Sequence, residues 1–434
     1  MNRNNYTRRS VLRSLLHAGA AGMLTGLGGT AIAASAYGGT LLVNLQLVGA
    51  LDVTSFADPK TNVAGRPPIN NWAQAADIRQ AGNIRYAPFA QNAAFFDRYY
   101  RDMLVINGID AQTNSHTTGV LHNWSGRNSE GYPTLTALFA AANQRDLPMP
   151  YLNFGGFAAT SGIVDVTQIG RMSVLHDLVK PNLAEGSGNR YVEDGDWERI
   201  AAMHRAGLAA RSAAPTTLEA SALQQQAYAD ALARSEAIEA FAGVLPPMSE
   251  VQRARSVGNH TSTLHQQLQV ALLAFKAGLA LTADVFEPGF DTHDDHDVRH
   301  ALALANVTDA VDYFWSHAAD LGLADRIVLV IGSDFGRTPH YNAGGGKDHW
   351  PIGSMLVMRR NSPFTNRVVG LTDAEHNASK IDPVTLHEDA TNGITLHPAH
   401  VHKALRRLLG IDTAAVTQLF PFATTPDVAL FAQN

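Results

Sequence analysis

Short, unbroken apolar runs closed by glycine or a polar residue constrain the fold of this chain more than any other feature. The clearest covers residues 326–332, and similar runs cover 40–49, 103–108 and 354–358. They are too short for core helices and rich in Val, Ile and Leu, which is typical of strands buried on both faces of a sheet. Helical patterns begin at Tyr132 and cover 299–319 and 398–409. Alternating strands and helices predict an α/β fold, a three-layer sandwich with helices on both faces of a mostly parallel central sheet.

A long stretch rich in Ala, Glu, Gln, Arg and Leu interrupts this pattern. It covers residues 197–242 and resumes over 251–281 after Pro246 and Pro247. These residue types favour helix. Because strand patterns resume afterwards, we predict a helical insertion at about 195–285 within one α/β domain of residues 37–434.

Composition excludes several classes of protein. The 434 residues are 45% hydrophobic, which is enough for a large core. The sequence contains no run of eighteen strongly apolar residues, so it predicts no transmembrane anchor. The net charge of −6 without a basic block argues against nucleic acid as a partner. The absence of cysteine excludes disulfide scaffolds, thiolate metal sites and a cysteine nucleophile.

The first 36 residues have the pattern of an export signal. Arg8 and Arg9 precede a weakly apolar stretch over 15–32, and small residues at 31–36 offer two cleavage sites. This order of regions is typical of a twin-arginine signal peptide, the alternative being an amphipathic helix with a chance arginine pair. The sequence therefore predicts passage through the twin-arginine translocase to a periplasmic or secreted location.

Four polar clusters stand beside the predicted strands. They are Asp52, residues 114–119, residues 289–296, and residues 333–338 together with 344–350. The carboxyl ends of parallel strands meet at one edge of a sheet, where ligands bind. Carboxylates and imidazoles gathered there suit a divalent metal ion such as Zn²⁺, Mn²⁺ or Mg²⁺.

Each cluster also has a purely structural interpretation. Asp291 and His293 could form a solvated acidic turn, and Asp334 could cap a helix. Ser115 could belong to a side-chain turn. For the three histidines near the last helix, His397, His400 and His402, the structural interpretation is favoured over metal binding.

The combined motifs resemble an exported bacterial family within the alkaline phosphatase and sulfatase superfamily. Residues 328–336 resemble its signature of a buried strand followed by an aspartate, and Asn114-Ser115 with Gly119 resembles a nucleophile loop. Residues 52–56, 114–116, 291–293 and 334–339, with 348–350, look like the family known as DUF1501, and this resemblance covers nearly the whole chain after the signal.

The resemblance implies a two-ion scheme. It makes Asp52 and Asp334 ligands of one ion, and Asp291, His293 and His349 ligands of the other, with His296 as a competitor for His293. It makes Ser115 the nucleophile, with Thr117 as its substitute. Arg337 or Lys347 would clamp a small anionic ester substrate.

The sequence departs from the superfamily pattern at three positions. Phe335 stands where the superfamily has a metal-ligating histidine, so one ion rather than two is an open alternative. Asp295 stands where a histidine is expected four residues after Asp291. His116, beside the predicted nucleophile, has no counterpart in the related phosphatases.

Three functions therefore stay open. The first is an exported metal-dependent hydrolase of phosphate or sulfate esters. The second is a catalytically degenerate relative that acts as an exported binding or assembly factor with a single structural ion. The third is a surface assembly protein that works through the helical excursion.

Overall fold

The computed structural model describes most of the chain after the predicted signal. The described residues are 37–143, 147–170, 182, 189–213, 241, 245–246, 250–257 and 260–432. The predicted signal over residues 1–36 lies outside this part, so export stays a prediction.

An eight-stranded sheet forms the centre of the fold, in the order β14-β4-β13-β10-β1-β9-β5-β6. Every pairing in it is parallel except the two made by β13, which confirms the mostly parallel sheet. The strands are β1 Leu41–Leu47, β2 Arg79–Ala81, β3 Ile84–Tyr86, β4 Met103–Asp110, β5 Tyr151–Asn153, β6 Val166–Gln168, β7 Arg255–Val257, β8 His260–Ser262, β9 Thr282–Glu287, β10 Ile327–Ser333, β11 Gly336–Arg337, β12 His349–Trp350, β13 Ile352–Met358 and β14 Arg367–Val369.

Helices cover both faces of this sheet. They are α1 Asn92–Tyr99, α2 His116–Ser125, α3 Leu135–Asn143, α4 Asp194–Ala213, α5 Leu264–Lys276, α6 His296–Asp320 and α7 Pro398–Leu408. Side chains alternate along a strand, so Asp284 and Glu287 of β9 face opposite sides of the sheet. Asp284 accepts a hydrogen bond from Thr136 of α3, and Glu287 accepts one from Ser262, the last residue of β8, two residues before α5. Among the described residues, no helix has the length and apolar character needed to cross a membrane.

The four apolar runs of the sequence form central strands, and β9 is a strand that the sequence pattern missed. β1, β10 and β13 are buried along their whole length. β9 lies between β1 and β5, although it begins at Thr282, inside the range assigned to the insertion. The helical segment therefore ends before residue 282. Of the rest, α4 is described, but most of residues 214–249 lies outside the described part.

One edge of the sheet gathers the polar clusters. The carboxyl ends of β1, β4, β9 and β10 meet there, because these strands all run in the same direction. β13 runs the opposite way, so its amino end lies at the same edge. The segment before β13 therefore reaches the loops that follow the parallel strands, which places residues 347–350 beside them.

Candidate metal centre

Two close backbone approaches hold the loops of this edge together, and glycine allows both. A side chain at Gly346 would overlap the His293 carbonyl group, its Cβ lying 1.9 Å from that oxygen. A side chain at Gly49, whose φ is +108°, would lie 2.4 Å from the backbone nitrogen of Asp291. The loop before β13 thus crosses directly over the loop after β9. This crossing carries His349 to Asp291 and His293.

Four side-chain acceptor atoms converge at this crossing. His349 Nε2 lies 3.1 Å from His116 Nε2 and 3.1 Å from His293 Nε2. Asp291 Oδ1 lies 3.0 Å from His293 Nε2, 3.4 Å from His349 Nε2 and 3.5 Å from His116 Nε2. These side chains are partly exposed, so the cluster is open to solvent. We call these four residues the open cluster.

The second ring nitrogen of each histidine is held by an oxygen acceptor. His116 Nδ1 lies 2.6 Å from Asp334 Oδ2, and His293 Nδ1 lies 2.9 Å from Asp348 Oδ1. His349 Nδ1 donates to the Asn114 carbonyl at 2.7 Å. With Nδ1 donating, the neutral ring presents the Nε2 lone pair to the centre. Three lone pairs and a carboxylate oxygen facing one another call for a proton or a metal cation between them.

The donor set fits a divalent metal ion. Ligand atoms of His116, Asp291 and His349 all lie within 4.8 Å of one another. Tetrahedral zinc with bonds of about 2.0–2.1 Å places its ligand atoms about 3.3 Å apart, close to the spacings in the open cluster. Second oxygen partners on the distal ring nitrogens are usual for metal-binding histidines. His293 borders the same group, and its Nε2 lies 3.5 Å from Arg337 Nη1, at the outer limit of a hydrogen bond.

The sequence missed His116, which lies at the centre of this geometry. It begins α2, directly after Ser115. The hydrogen bond to Asp334 raises the pKa of His116 against the opposing effect of burial. The His116 ring therefore gains a proton more readily than a free histidine where no metal ion shares Nε2. A histidine opening a helix after a buried strand was the available sequence signal.

The buried Arg337 side chain holds the Asp291 carboxylate of the open cluster in place. Its guanidinium is buried, donates to the carbonyls of Gly49, Ala50 and Lys347, and forms an ion pair with Asp291. Burial alone would raise the pKa of Asp291, but the hydrogen bond and charge of Arg337 lower it to about 2. These contacts give Arg337 a positioning role, and its predicted role as an anion clamp has no support from them.

Asp52 and Lys347 lie in a second, buried cluster at the same edge. Lys347 Nζ lies 2.8 Å from Asp52 Oδ2, and His296 Nε2 lies 3.1 Å from the same oxygen. All three side chains are fully buried. Burial opposes ionisation of Asp52, but the Lys347 charge and the His296 hydrogen bond hold its pKa well below the usual range. Burial also lowers the pKa of His296. We call Asp52, Lys347 and His296 the buried cluster.

The structure thus distributes the predicted ligands differently from the two-ion scheme. Asp291, His293 and His349 come together as expected. Asp334 contacts His116 and accepts from the Gly49 backbone at 3.1 Å, whereas Asp52 contacts Lys347. The described contacts therefore show Asp52 and Asp334 with different partners, and a shared ion between them stays a prediction.

Ser115 and Thr117 are exposed at the amino end of α2. The Ser115 side chain makes no capping hydrogen bond to the helix. Ser115 therefore stays a predicted nucleophile, one residue from the open cluster.

Phe335 packs against the open cluster. Its ring centroid lies 4.9 Å from that of His116 and 4.9 Å from that of His349. Gly119 of α2 allows this packing, since a side chain there would lie 2.7 Å from Phe335 Cδ1. Phe335 therefore supports two imidazoles by packing.

The histidines near the last helix make structural contacts. His397 and His400 form a capping box at the start of α7, and His402 Nε2 bonds the Asn123 carbonyl at 2.7 Å. Burial lowers the pKa of His400 to about 4 and that of His402 to about 3. Both rings are thus neutral parts of the packing between α7 and the rest of the fold.

The open cluster and the mostly parallel sheet define an α/β protein with a candidate metal centre at one sheet edge. The model of the family described as "Protein of unknown function (DUF1501)" matches residues 41–419. The chain belongs to this family, which confirms the family predicted from the motifs. No curated protein matches the chain.

Similar solved structures show low sequence identity. A protein of the alkaline phosphatase superfamily from Vibrio parahaemolyticus is 9% identical, with a TM-score of 0.39, 89% of this chain covered and 70% of that one. The PsFucS1 sulfatase from Pseudoalteromonas sp. is 11% identical, with a TM-score of 0.35, 91% of this chain covered and 72% of that one. Ps i-CgsB in complex with k-i-k-neocarrahexaose is 8% identical, with a TM-score of 0.40, 91% of this chain covered and 75% of that one. Because these TM-scores are below 0.5, the fold is assigned from the chain's own sheet and not from these structures.

Proposed function

We propose that this protein is a metal-dependent hydrolase of phosphate or sulfate esters that acts in the periplasm or outside the cell after twin-arginine export. The observation that carries the proposal is the convergence of three Nε2 atoms and Asp291 Oδ1 in the open cluster. Solvent reaches this cluster, so an ester could reach it too.

The residues present would hold a divalent ion through His116, Asp291 and His349, with His293 as a further ligand. Such an ion would polarise an ester oxygen and activate the attacking oxygen. Zn²⁺ suits the imidazole-rich donor set best, and Mn²⁺ and Mg²⁺ stay candidates.

The chain's own residues have separate tasks in this proposal. Asp334 and Asp348 orient His116 and His293 through their Nδ1 atoms. Arg337 holds Asp291 in place. Ser115 is the proposed nucleophile, and the positive end of the α2 dipole favours negative charge beside it.

Hydrolysis of matched esters tests this function. The exported protein, loaded with Zn²⁺, Mn²⁺ or Mg²⁺, is given 4-nitrophenyl phosphate, bis(4-nitrophenyl) phosphate and 4-nitrophenyl sulfate. We expect turnover of at least one ester and a loss of several orders of magnitude in kcat for Ser115→Ala. Thr117→Ala, which removes the substitute nucleophile, should keep near wild-type activity. Intact esters with every ion, in protein shown to hold the ion, would reject the hydrolase.

A second candidate is the non-catalytic binding or assembly factor that keeps one structural ion. It is favoured by Phe335 in the place of a ligand and by the internal partners that occupy Arg337 and Lys347. For this function we expect bound ion, intact esters and an unchanged cellular role in Ser115→Ala. Loss of that role in a folded Ser115→Ala protein would count against it.

A further inference from the structure

Lys347 is enclosed like a bound cation. Its Nζ lies 2.8 Å from Asp52 Oδ2, 3.2 Å from Thr54 Oγ1 and 3.2 Å from Asn70 Oδ1. These oxygens come from three separate positions, and the side chain is fully buried. A carboxylate, a hydroxyl and an amide oxygen are the hard donors that divalent cations also use.

The surrounding contacts complete this enclosure. Thr54 donates to Asp52 Oδ1 through both its backbone nitrogen and its hydroxyl, and Ser55 donates to Asp52 Oδ2 at 3.0 Å. The Tyr341 ring lies 5.1 Å from Lys347 Nζ, as in a cation–π contact. The ammonium therefore neutralises a carboxylate that is unfavourable to bury alone.

The same loop serves both clusters. Lys347 enters the buried cluster, and His349, two residues later, enters the open cluster. The Lys347 carbonyl accepts from Arg337, which pairs with Asp291. The two clusters are thus neighbouring cation positions, and the backbone of residues 347–349 connects them.

We propose that Lys347 is a built-in cation that takes the place of a second metal ion, so that the folded chain binds one divalent ion, in the open cluster alone. This inference rests on the metal centre of the proposed function. It assigns Lys347 to Asp52 rather than to a substrate anion. It also implies a latent cation position, formed by Asp52, Thr54, Asn70 and His296, that the lysine side chain fills.

Metal stoichiometry tests the inference without any activity measurement. Protein saturated with Zn²⁺ or Mn²⁺ and freed of excess ion is analysed for bound metal. We expect one ion per chain in the wild type and two in Lys347→Ala. In Lys347→Ala without ion, we expect the melting temperature to fall by about 10 °C and to recover when Mn²⁺ is added.

A second variant is measured in case Lys347→Ala does not fold. The double variant Asp52→Asn with Lys347→Met removes both buried charges, and we expect it to bind one ion. Two ions in the wild type, or one ion in folded Lys347→Ala at saturation, would overturn the role of Lys347. No ion in the wild type would instead reject the metal centre on which the proposed function depends.

Discussion

The open cluster and the buried cluster lie at the same sheet edge but differ in how their charges are balanced. In the buried cluster, Asp52 has its own ammonium partner at 2.8 Å and no solvent access. In the open cluster, the Nε2 atoms of His116 and His349 face each other at 3.1 Å, with Asp291 beside them and solvent outside. The charges of the first cluster are balanced within the chain, whereas the second, in our proposal, is stabilised by a bound divalent ion.

This difference separates residues that hold the fold from residues that hold a ligand. Removing a partner from the buried cluster leaves an uncompensated charge, which is strongly destabilising. Removing a ligand from the open cluster exposes little buried surface and mainly weakens ion binding.

Asp52→Asn should give the largest loss of stability. It leaves Lys347 buried without a counter-charge, and we expect the free energy of unfolding to fall by about 3–5 kcal/mol. Urea unfolding in the presence of a chelator measures this loss. Asp348→Asn, which changes an exposed carboxylate, is the matched control and should change stability by less than about 1 kcal/mol. A loss in Asp52→Asn as small as that of the control would contradict the account of the buried cluster.

His349→Ala should abolish tight ion binding and leave the fold intact. The variant removes the ligand that lies between His116 and His293. Loss of an outer partner alone costs up to about a hundredfold in affinity, so we expect the dissociation constant for Zn²⁺ to rise by at least this factor, as measured by competition with a chromophoric chelator. His397→Ala, at the start of α7, is the control and should bind the ion as the wild type does. Unchanged affinity in His349→Ala would remove His349 from the centre.

Asp348→Asn should weaken ion binding by a smaller factor. Asp348 accepts from His293 Nδ1 at 2.9 Å and is itself held by Asn342 at 3.0 Å. Loss of such an outer partner costs about 10–100-fold in metal affinity. The same competition measurement checks it. An affinity equal to that of the wild type would mean that His293 is not a ligand.

The two clusters should respond to pH in opposite directions. The pKa of Asp52 is lowered from 3.8, so its stabilising contribution is present above pH 3.8 and is lost on acidification. The pKa of His116 is raised from 6.5, so its contribution in ion-free protein is full below pH 6.5 and is lost as pH rises through the higher value.

Because the His116 side chain is partly exposed, we expect an effect below about 1 kcal/mol. Urea unfolding of ion-free wild type and His116→Gln between pH 6 and 9 measures it. Stability of the wild type that rises with pH relative to His116→Gln would have the wrong sign.

The central strands could be predicted because their apolar runs are continuous. β10 is Val- and Ile-rich and needs no distant partner to be identified. β9 was missed because Asp284 and Glu287 interrupt its six residues, and their burial depends on partners far along the chain. Burial raises the pKa of Asp284 to about 7, which no local pattern indicates.

The candidate site could be predicted only in part. Asp291, His293 and His349 were identified by type and by position after or before a strand. The pairing of Lys347 with Asp52 joins residues 295 positions apart and could not be inferred from spacing. His116 was not assigned as a ligand because it has no counterpart in the phosphatases that the motifs resemble, although an imidazole at that turn carries the same positional signal.

The most direct test of the open cluster is the coordination of Co²⁺ bound to the whole folded protein. We expect one Co²⁺ per chain with visible absorption typical of four-coordinate cobalt, nitrogen-rich coordination by X-ray absorption, and loss of both in His116→Ala. A protein that binds no Co²⁺, or that keeps the same spectrum in folded His116→Ala, would contradict it.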